Sequence, residues 1–191
     1  MGKLVVTEFV TLDGVMEDPG GSEGSERGGW AFQFERGPEG DKFKLDELMA
    51  SDALLLGRTT YQGFAEAWPS RTDDVGFADK MNTMPKYVVS KSLENPSWAN
   101  TTVISGNVAD EIAALKEQSG GDILVYGSGQ LVRELMQHGL VDEYRLMVFP
   151  VVLGSGKRLF EDGADLAKMN IIETKPTGAV VTLTLEPASE T

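Results

Sequence analysis

Apolar residues along the chain form short continuous runs that alternate with segments of helical spacing. The runs are rich in β-branched and aromatic residues and predict six strands, at 4–10, 53–56, 86–90, 101–105, 123–127 and 143–152. The intervening segments place apolar side chains on one helical face and predict helices at 41–51, 59–67, 108–118 and 130–138. This alternation is typical of an α/β fold with a mostly parallel sheet covered by helices on both faces.

Two segments depart from the alternation. Residues 170–175 and 180–186 predict two strands joined by a short Pro-Thr-Gly turn, so we expect an antiparallel hairpin at the end of the sheet. Residues 16–40 form a glycine-rich polar connection, much longer than usual, that nevertheless contains Trp30, Phe32 and Phe34. Because exposed aromatic rings are unfavourable, we expect this loop to pack over a site as a lid, with a floppy insertion as the alternative.

Composition indicates one globular domain spanning residues 1–191. The longest apolar runs are too short to cross a membrane, and the first residues lack the apolar centre of a signal peptide. We therefore expect a cytoplasmic protein without a membrane partner. The formal net charge of −13 opposes nucleic-acid binding, which depends on neutralising phosphates with Lys and Arg.

Cysteine and histidine counts narrow the chemistry further. The absence of cysteine excludes disulfides, thiolate nucleophiles and sulfur-based zinc sites, and we expect no metal. The single histidine, His138, lies at the predicted end of a helix, where a cation complements the helix dipole. A Ser-His-Asp triad would have to use this residue, so a hydrolase is the least favoured class.

The stretch "YGSGQ" at 126–130 lies where a predicted strand becomes a helix. Gly127 and Gly129 match the first two glycines of the dinucleotide pattern G-x-G-x-x-G, but Val132 occupies the third position. Glycines at such a turn, with the free N–H groups of a helix start, can still hold an anion. A tight turn without a ligand is the open alternative.

Two further predicted strands end in polar residues. Gly57 is followed by Arg58 and two threonines at a helix start, a combination able to hold a phosphate, although Arg58 could instead pair with an acid. Ser90 and Lys91 end another strand. Because ligands bind beyond the carboxyl ends of parallel strands, we expect these turns to converge on one edge of the sheet.

Four stretches together resemble the dihydrofolate-reductase-like superfamily: "VTEFVTLDGVM", "DALLLGRTTYQGF", "PKYVVSKSL" and "DILVYGSGQLVRELMQHGLVDEYRLMVFPVVLGSGKRLFED". Within it, the chain is most similar to stand-alone bacterial proteins that resemble the reductase (RibD C-terminal) domain of the bifunctional riboflavin-biosynthesis enzyme. The similarity spans roughly residues 4–185. It implies a three-layer α/β fold, a homodimer, and NADPH as hydride donor.

The resemblance also implies which residues meet NADPH. The element that holds the adenosine ribose phosphate matches Gly57, Arg58, Thr59 and Thr60, with Arg58 as partner of the 2′-phosphate. The adjoining turn near the same phosphate matches Ser90 and Lys91. The pyrophosphate is expected at the glycine turn and helix start, which comprise Gly127, Ser128, Gly129, Gln130, Leu131 and Val132. The nicotinamide would be bordered by Val10 and Thr11, and Trp30 matches a loop tryptophan near the cofactor.

The substrate side departs from the family pattern. The riboflavin-type reductase has a substrate-binding glutamate immediately before the glycine turn, whereas this chain has Tyr126. We therefore expect Trp30 and Tyr126 to line the substrate pocket. The sequence does not identify the substrate. Counting back from "LLLGR", the catalytic carboxylate of dihydrofolate reductase falls on Asp41, and Asp13 is the other acidic candidate. Complementing a helix dipole and forming a turn are their structural alternatives.

The sequence thus predicts an NADPH-dependent reductase that transfers hydride to a small C=N or C=O substrate. At the family level, this activity is similar to that of 5-amino-6-(5-phosphoribosylamino)uracil reductase or of dihydrofolate reductase. The proton could come from Asp41, from Asp13 or from water. The alternative is a protein that binds NADP(H) without turning it over.

Overall fold

A computed structural model describes residues 1–164 and 166–188. Within these residues lie eight strands: β1 (Leu4–Thr11), β2 (Ser51–Gly57), β3 (Lys86–Val89), β4 (Thr101–Ile104), β5 (Asp122–Tyr126), β6 (Glu143–Phe149), β7 (Met169–Thr177) and β8 (Val180–Pro187). The α-helices of the same part of the chain are α1 (Gly37–Met49), α2 (Arg58–Ala67), α3 (Phe77–Thr83), α4 (Val108–Gln118) and α5 (Gly129–Gln137). A short 3-10 helix covers Trp30–Gln33.

The strands form one sheet in the order β4-β3-β2-β5-β1-β6-β8-β7. All pairings from β4 to β6 are parallel, whereas β8 pairs antiparallel with both β6 and β7. The predicted α/β class, the mostly parallel sheet and the C-terminal antiparallel hairpin are confirmed. Because the carboxyl ends of parallel strands share an edge, Thr11, Gly57, Val89 and Tyr126 all end on the same side of the sheet.

Apolar cores cover both faces of the sheet. One core joins alternate strand residues such as Val6 and Val125 to α4 and α5, and the other joins the intervening residues, such as Val5 and Leu124, to α1, α2 and α3. A smaller cluster packs Trp30 against Phe149 of β6. The long loop before α1 is therefore anchored to the sheet by Trp30 and Phe34, whereas Phe32 is exposed.

Two helices differ from the sequence prediction. α1 begins at Gly37 instead of Asp41, because Pro38 occupies the first turn, where its fixed φ angle suits a helix start. α3 was not predicted, since it is only seven residues long and follows a polar segment. Its start is held by the Asp73 carboxylate, which accepts the N–H groups of Phe77 and Ala78.

The antiparallel end of the sheet has a different surface from the rest. β7 is an edge strand, and the side chains of Ile171 and Ile172 on it are exposed. The expected homodimer stays a prediction, and the exposed edge of β7 is the surface where we would test for dimer contacts.

Across the residues that the structure describes, no helix has both the length and the apolar character needed to cross a bilayer.

Candidate functional site

The turn after β2 and the turn after β5 contact each other directly. Ser128 Oγ accepts the N–H of Gly57 at 2.8 Å and lies 2.9 Å from Thr60 Oγ1. A Cβ added to Gly57 would overlap Ser128, and one added to Gly127 would lie 2.5 Å from Thr60 Oγ1. Gly127 also has a φ of 60°, which favours glycine. The glycines thus let two strand-to-helix turns meet at one edge, as the sequence predicts.

The two helices that start from these turns present open N-termini. Within α2 and α5, both fully described, no side chain caps the N-terminus and no acidic residue occupies the first turn. α4 starts at the same edge but carries Asp110 and Glu111 in its first turn. In a chain with a net charge of −13, this difference keeps the positive ends of α2 and α5 available for an anion.

Arg58 lies exposed at the rim of this surface. Its Nη1 donates to Ser92 Oγ at 3.2 Å, which links the turn after β2 to the turn after β3. Ser90 Oγ accepts the N–H groups of Ser92 and Leu93 and so holds its own turn, while Lys91 is exposed beside it. A cleft of about 280 Å³ lies next to these turns, lined by Tyr61, Gln62, Ala65, Glu66, Leu93, Asn95, Pro96 and Ser97.

Other residues expected at the cofactor face the protein interior. The side chains of Leu131, Val132 and Val10 belong to one apolar core, so only their backbone could meet a ligand. The Val132 N–H is already bonded to Ser128 O within the helix. Gln130 and Thr59 are exposed at the two helix starts.

Trp30 is nearly fully buried. Its Nε1 donates to Glu17 O at 2.9 Å, and its ring packs edge-on against Phe149 with 5.2 Å between centroids. The loop therefore closes on itself and on β6. Its first part also covers the glycine turn, because Met16 Sδ would lie 3.3 Å from a Cβ on Gly129. Contact of Trp30 with a ligand stays a prediction.

A largely buried polar cluster lies beside the same edge, on the face of the sheet that α1 covers, and comprises Thr7, Lys44, Glu47 and Tyr126. Lys44 Nζ forms an ion pair with Glu47 and donates to Thr7 Oγ1 at 2.6 Å, and Thr7 in turn donates to Glu47 Oε1 at 2.8 Å. Tyr126 OH lies 3.5 Å from the same carboxylate oxygen. Lys44 Nζ is also 5.0 Å from the centre of the Tyr126 ring, within cation–π range.

Glu8 is a further carboxyl of β1 that points to the opposite face of the sheet, the face of Val6 and Val10, and is 8% exposed. Burial raises its pKa to about 8, although the nearby Lys44 ammonium and the backbone N–H of Gly127 act in the opposite direction. Burial also raises the pKa of the Tyr126 phenol well above its usual value. Among the described residues, neither Glu8 Oε1 nor Glu47 Oε2 has a hydrogen-bond partner.

The two acids expected from the sequence lie elsewhere. Asp41 is largely exposed on α1 and pairs with Arg36 at 2.8 Å. Asp13 accepts a hydrogen bond from Thr11 Oγ1 at 2.6 Å and from the Gly154 N–H at 2.7 Å, and these bonds lower its pKa to about 2. The contacts of Asp13 fit its structural alternative, a turn, whereas Asp41 lies beyond the first turn of α1, which begins at Gly37. Their catalytic roles stay untested predictions.

Sequence analysis missed Glu8, Lys44 and Glu47, although each leaves a trace in the hydrophobic pattern. Glu8 interrupts the apolar run of a strand that is buried on both faces. Lys44 and Glu47 occupy the same face of α1 as the buried Leu48, where apolar residues are expected. No group of His, Asp or Glu within residues 1–164 and 166–188 is arranged to hold a metal ion.

Solved structures with the same fold include several reductase-related proteins. A putative riboflavin biosynthesis protein from Shewanella sp. PV-4 is 20% identical with a TM-score of 0.76, and the match covers 99% of this chain and 100% of that one. RibD of Acinetobacter baumannii is 15% identical with a TM-score of 0.65, and the match covers 99% of this chain and 59% of RibD. Dihydrofolate reductase from Enterococcus faecalis is 15% identical with a TM-score of 0.58 and covers 98% of each chain.

Two sequence relatives come from Bacillus subtilis strain 168. The uncharacterized protein YwjB is 31% identical over 181 residues, which are 95% of each chain. The uncharacterized protein YyaP is 29% identical over 176 residues, which are 91% of this chain and 88% of YyaP. The model of the RibD C-terminal domain matches residues 2–183. The chain therefore belongs to the RibD C-terminal domain family, whose dihydrofolate-reductase-like fold it shares.

Proposed function

We propose that this protein is an NADPH-dependent reductase that transfers hydride to a small C=N or C=O compound. The observation that carries the proposal is the direct contact between the turns after β2 and β5, where two open helix N-termini meet below the exposed Arg58. The Enterococcus faecalis dihydrofolate reductase, which has the same fold, is complexed with NADP(H). Membership of the RibD C-terminal domain family also supports a reductase.

The residues present fit a dinucleotide with a 2′-phosphate. Backbone N–H groups at Gly129 and Gln130 would bind the pyrophosphate, because the glycine turn brings the ligand close to the start of α5. Arg58 and Lys91 would bind the 2′-phosphate by charge. Thr59 and Thr60 lie at the start of α2 beside them, and the cleft between α2 and residues 93–97 would receive the adenine.

The acceptor would lie on the Tyr126 side of the glycine turn, under the loop that contains Trp30. Glu47 Oε1 lies 3.5 Å from Tyr126 OH, so a carboxylate stands beside the position where the riboflavin-type reductase has its glutamate. NADPH supplies the hydride when bound, and the protein positions the acceptor and manages a proton. We name only the class of the substrate. The carboxylate beside the glycine turn comes from Glu47 on α1, whereas the riboflavin-type enzyme has its glutamate immediately before that turn.

The test is a fluorescence titration with NADPH and NADH of the wild type and of Arg58→Ala. We expect the substitution to weaken NADPH binding about 10- to 100-fold, since a charge-assisted hydrogen bond to the 2′-phosphate is lost, and to leave NADH binding unchanged. Arg71→Ala is the matched control, because Arg71 stacks on Trp68 beyond the far end of α2. Equal NADPH affinity of wild type and Arg58→Ala would contradict the assignment of the 2′-phosphate site.

A second measurement separates a reductase from a protein that only binds the cofactor. NADPH oxidation is followed with a panel of acceptors consisting of a dihydropterin, a flavin and a cyclic imine. Oxidation with one of them supports hydride transfer. Tight NADPH binding without oxidation by any of them would instead favour a storage or sensing protein.

A further inference from the structure

Tyr126 stands at the point where the two strand-to-helix turns meet. On β5 it is followed by Gly127, and its register partner on β2, Leu56, is followed by Gly57. Side chains alternate along β5, and that of Tyr126 packs with Leu124 on the face that α1 covers. The side chain is partly exposed, so it lies next to the turns proposed for the cofactor and within reach of a ligand.

The hydroxyl of Tyr126 has a poor acceptor within the protein. Among the described residues, it donates to Glu47 Oε1 over 3.5 Å, whereas a hydrogen bond from a hydroxyl to a carboxylate is usually about 2.5–2.7 Å long. The same oxygen already accepts the Thr7 hydroxyl at 2.8 Å and pairs with the Lys44 ammonium. Burial and the Glu47 carboxylate raise the pKa of the phenol well above its usual value, so the hydroxyl keeps its hydrogen. A ligand oxygen or nitrogen would give that hydrogen a better acceptor.

Two helices hold the Tyr126 ring in place. Lys44 on α1 places its Nζ 5.0 Å from the ring centre, within cation–π range. Phe64 on α2 packs against the same ring with 6.0 Å between centroids. The ammonium also favours negative charge on the phenol oxygen, which is the charge that develops when the hydroxyl gives up its proton. The ring is therefore fixed in position beside a cation that supports proton donation.

We propose that the Tyr126 hydroxyl is the proton donor of the reduction, hydrogen-bonded to the oxygen or nitrogen of the acceptor. The inference rests on the proposed reductase function. The acceptor carbon takes the hydride, a step that oxidises NADPH to NADP⁺, and the electron pair of the C=O or C=N π bond moves to the oxygen or nitrogen. That pair forms the new O–H or N–H bond as the Tyr126 O–H bond breaks. The phenolate then regains a proton from water.

This role narrows the class of acceptor. A donated hydrogen bond requires a lone pair, which a neutral carbonyl or imine has and a protonated iminium lacks. The riboflavin-type reductase has a glutamate at this place, and an ionised carboxylate can only accept hydrogen bonds. Tyr126 therefore favours acceptors that present a lone pair here over acceptors that present an N–H group.

The first arm of the test compares the wild type with Tyr126→Phe. This variant keeps the ring, its contact with Lys44 and its packing against Phe64, but it lacks the hydroxyl. Single-turnover NADPH oxidation is measured with the acceptor that the wild type reduces. We expect a rate about 10²- to 10⁴-fold lower in the variant, with NADPH affinity unchanged.

The second arm detects the hydrogen bond itself. NADP⁺ replaces NADPH, so that the acceptor, isotopically labelled at its reducible carbon, binds without being reduced. Infrared difference spectra then report the C=O or C=N stretch of the bound acceptor. We expect this stretch to differ between the wild type and Tyr126→Phe, with a carbonyl at lower wavenumber in the wild type, because a donated hydrogen bond weakens the C=O bond. Equal wavenumbers in the two proteins would overturn the donor role.

Tyr87→Phe is the matched control, because Tyr87 on β3 packs against the core on the opposite face of the sheet. It should match the wild type in rate and in the infrared spectrum. Normal NADPH binding together with an unslowed Tyr126→Phe variant would overturn the role of Tyr126 alone. Failure of the wild type to bind NADPH, or to reduce any acceptor of the panel, would overturn the reductase proposal and the donor role with it.

Discussion

The two halves of the carboxyl edge are built in opposite ways. On the side proposed for the cofactor, here called the cofactor side, two strand-to-helix turns meet through Gly57, Thr60 and Ser128, and the residues around them are partly open to solvent. On the side proposed for the acceptor, here called the acceptor side, Lys44 and Glu47 reach from α1 to Thr7 of β1 and are less than 10% exposed. The first surface offers open donors to an anion, whereas the second has already paired most of its polar groups.

This difference indicates where each half gains its specificity. Helix N-termini and an exposed arginine recognise phosphate wherever a fold places them, so the cofactor side needs little support from distant elements. Buried charges are stable only when their partners are held in place, so the acceptor side depends on the packing of α1 against β1. We expect substitutions on the two sides to separate binding from stability.

The most disruptive change should be Lys44→Met on the acceptor side. It leaves the buried Glu47 carboxylate without its counter-ion, and we expect a loss of about 3–5 kcal/mol in the free energy of unfolding. Urea denaturation measures this loss. Lys42→Met is the matched control on the same helix, because its ion pair with Asp46 is exposed and contributes about 1 kcal/mol or less.

The double variant Lys44→Met, Glu47→Leu then isolates the unpaired charge. Replacing both members of a buried pair with apolar residues of similar volume is often neutral, so most of the lost stability should return. A double variant as unstable as Lys44→Met would show that the loss comes from packing instead of from the isolated carboxylate.

The fold was largely predictable because its determinants are local. The strands and the long helices follow from runs and spacings of apolar residues, and α4 has the predicted bounds, Val108–Gln118. The exceptions have local physical causes. The start of α1 depends on Pro38 in a glycine-rich context, and α3 is too short to show a clear period.

The candidate site likewise has a part with local determinants and a part that depends on tertiary packing. The glycine turns are contiguous motifs, so their place at the strand ends and their convergence could be predicted. The buried polar cluster joins residue 7 to residues 44, 47 and 126, which no local spacing connects. Predicting it would require knowing that α1 presents Lys44 and Glu47 to β1, and this depends on tertiary packing.

Stability should depend on pH through Glu8 in a direction opposite to that of an ordinary paired acid. Its pKa is raised from 4.5 to about 8, so the folded chain binds the proton more tightly than the unfolded chain does. Stability from this group is fully present below the unfolded pKa and is lost as the pH rises toward the folded pKa.

Urea denaturation of the wild type and of Glu8→Gln over this range measures the effect. Between about pH 6 and pH 8, we expect the wild type to lose roughly 2 kcal/mol relative to the variant. A constant difference between the two proteins across this range would mean that Glu8 has no shifted pKa.

The smallest change in stability is expected on the cofactor side, where binding should suffer most. Gly127→Ala places a Cβ 2.5 Å from Thr60 Oγ1 at a φ of 60°, so we expect a loss of about 1–2 kcal/mol in unfolding free energy. The displaced turn should also weaken NADPH binding, measured by fluorescence titration. Gly63→Ala is the control within α2, because nothing lies within 4 Å of its added Cβ.

The Gly63→Ala variant should be more stable by about 0.5–1 kcal/mol, since alanine favours a helix interior, and it should bind NADPH like the wild type. The two variants should therefore change in opposite directions in stability, and only Gly127→Ala should weaken NADPH binding. If Gly127→Ala binds NADPH as tightly as Gly63→Ala does, the glycines after β5 serve only the tight turn. The pyrophosphate would then have to be held by the start of α2 alone, and the cofactor side would no longer depend on the contact between its two turns.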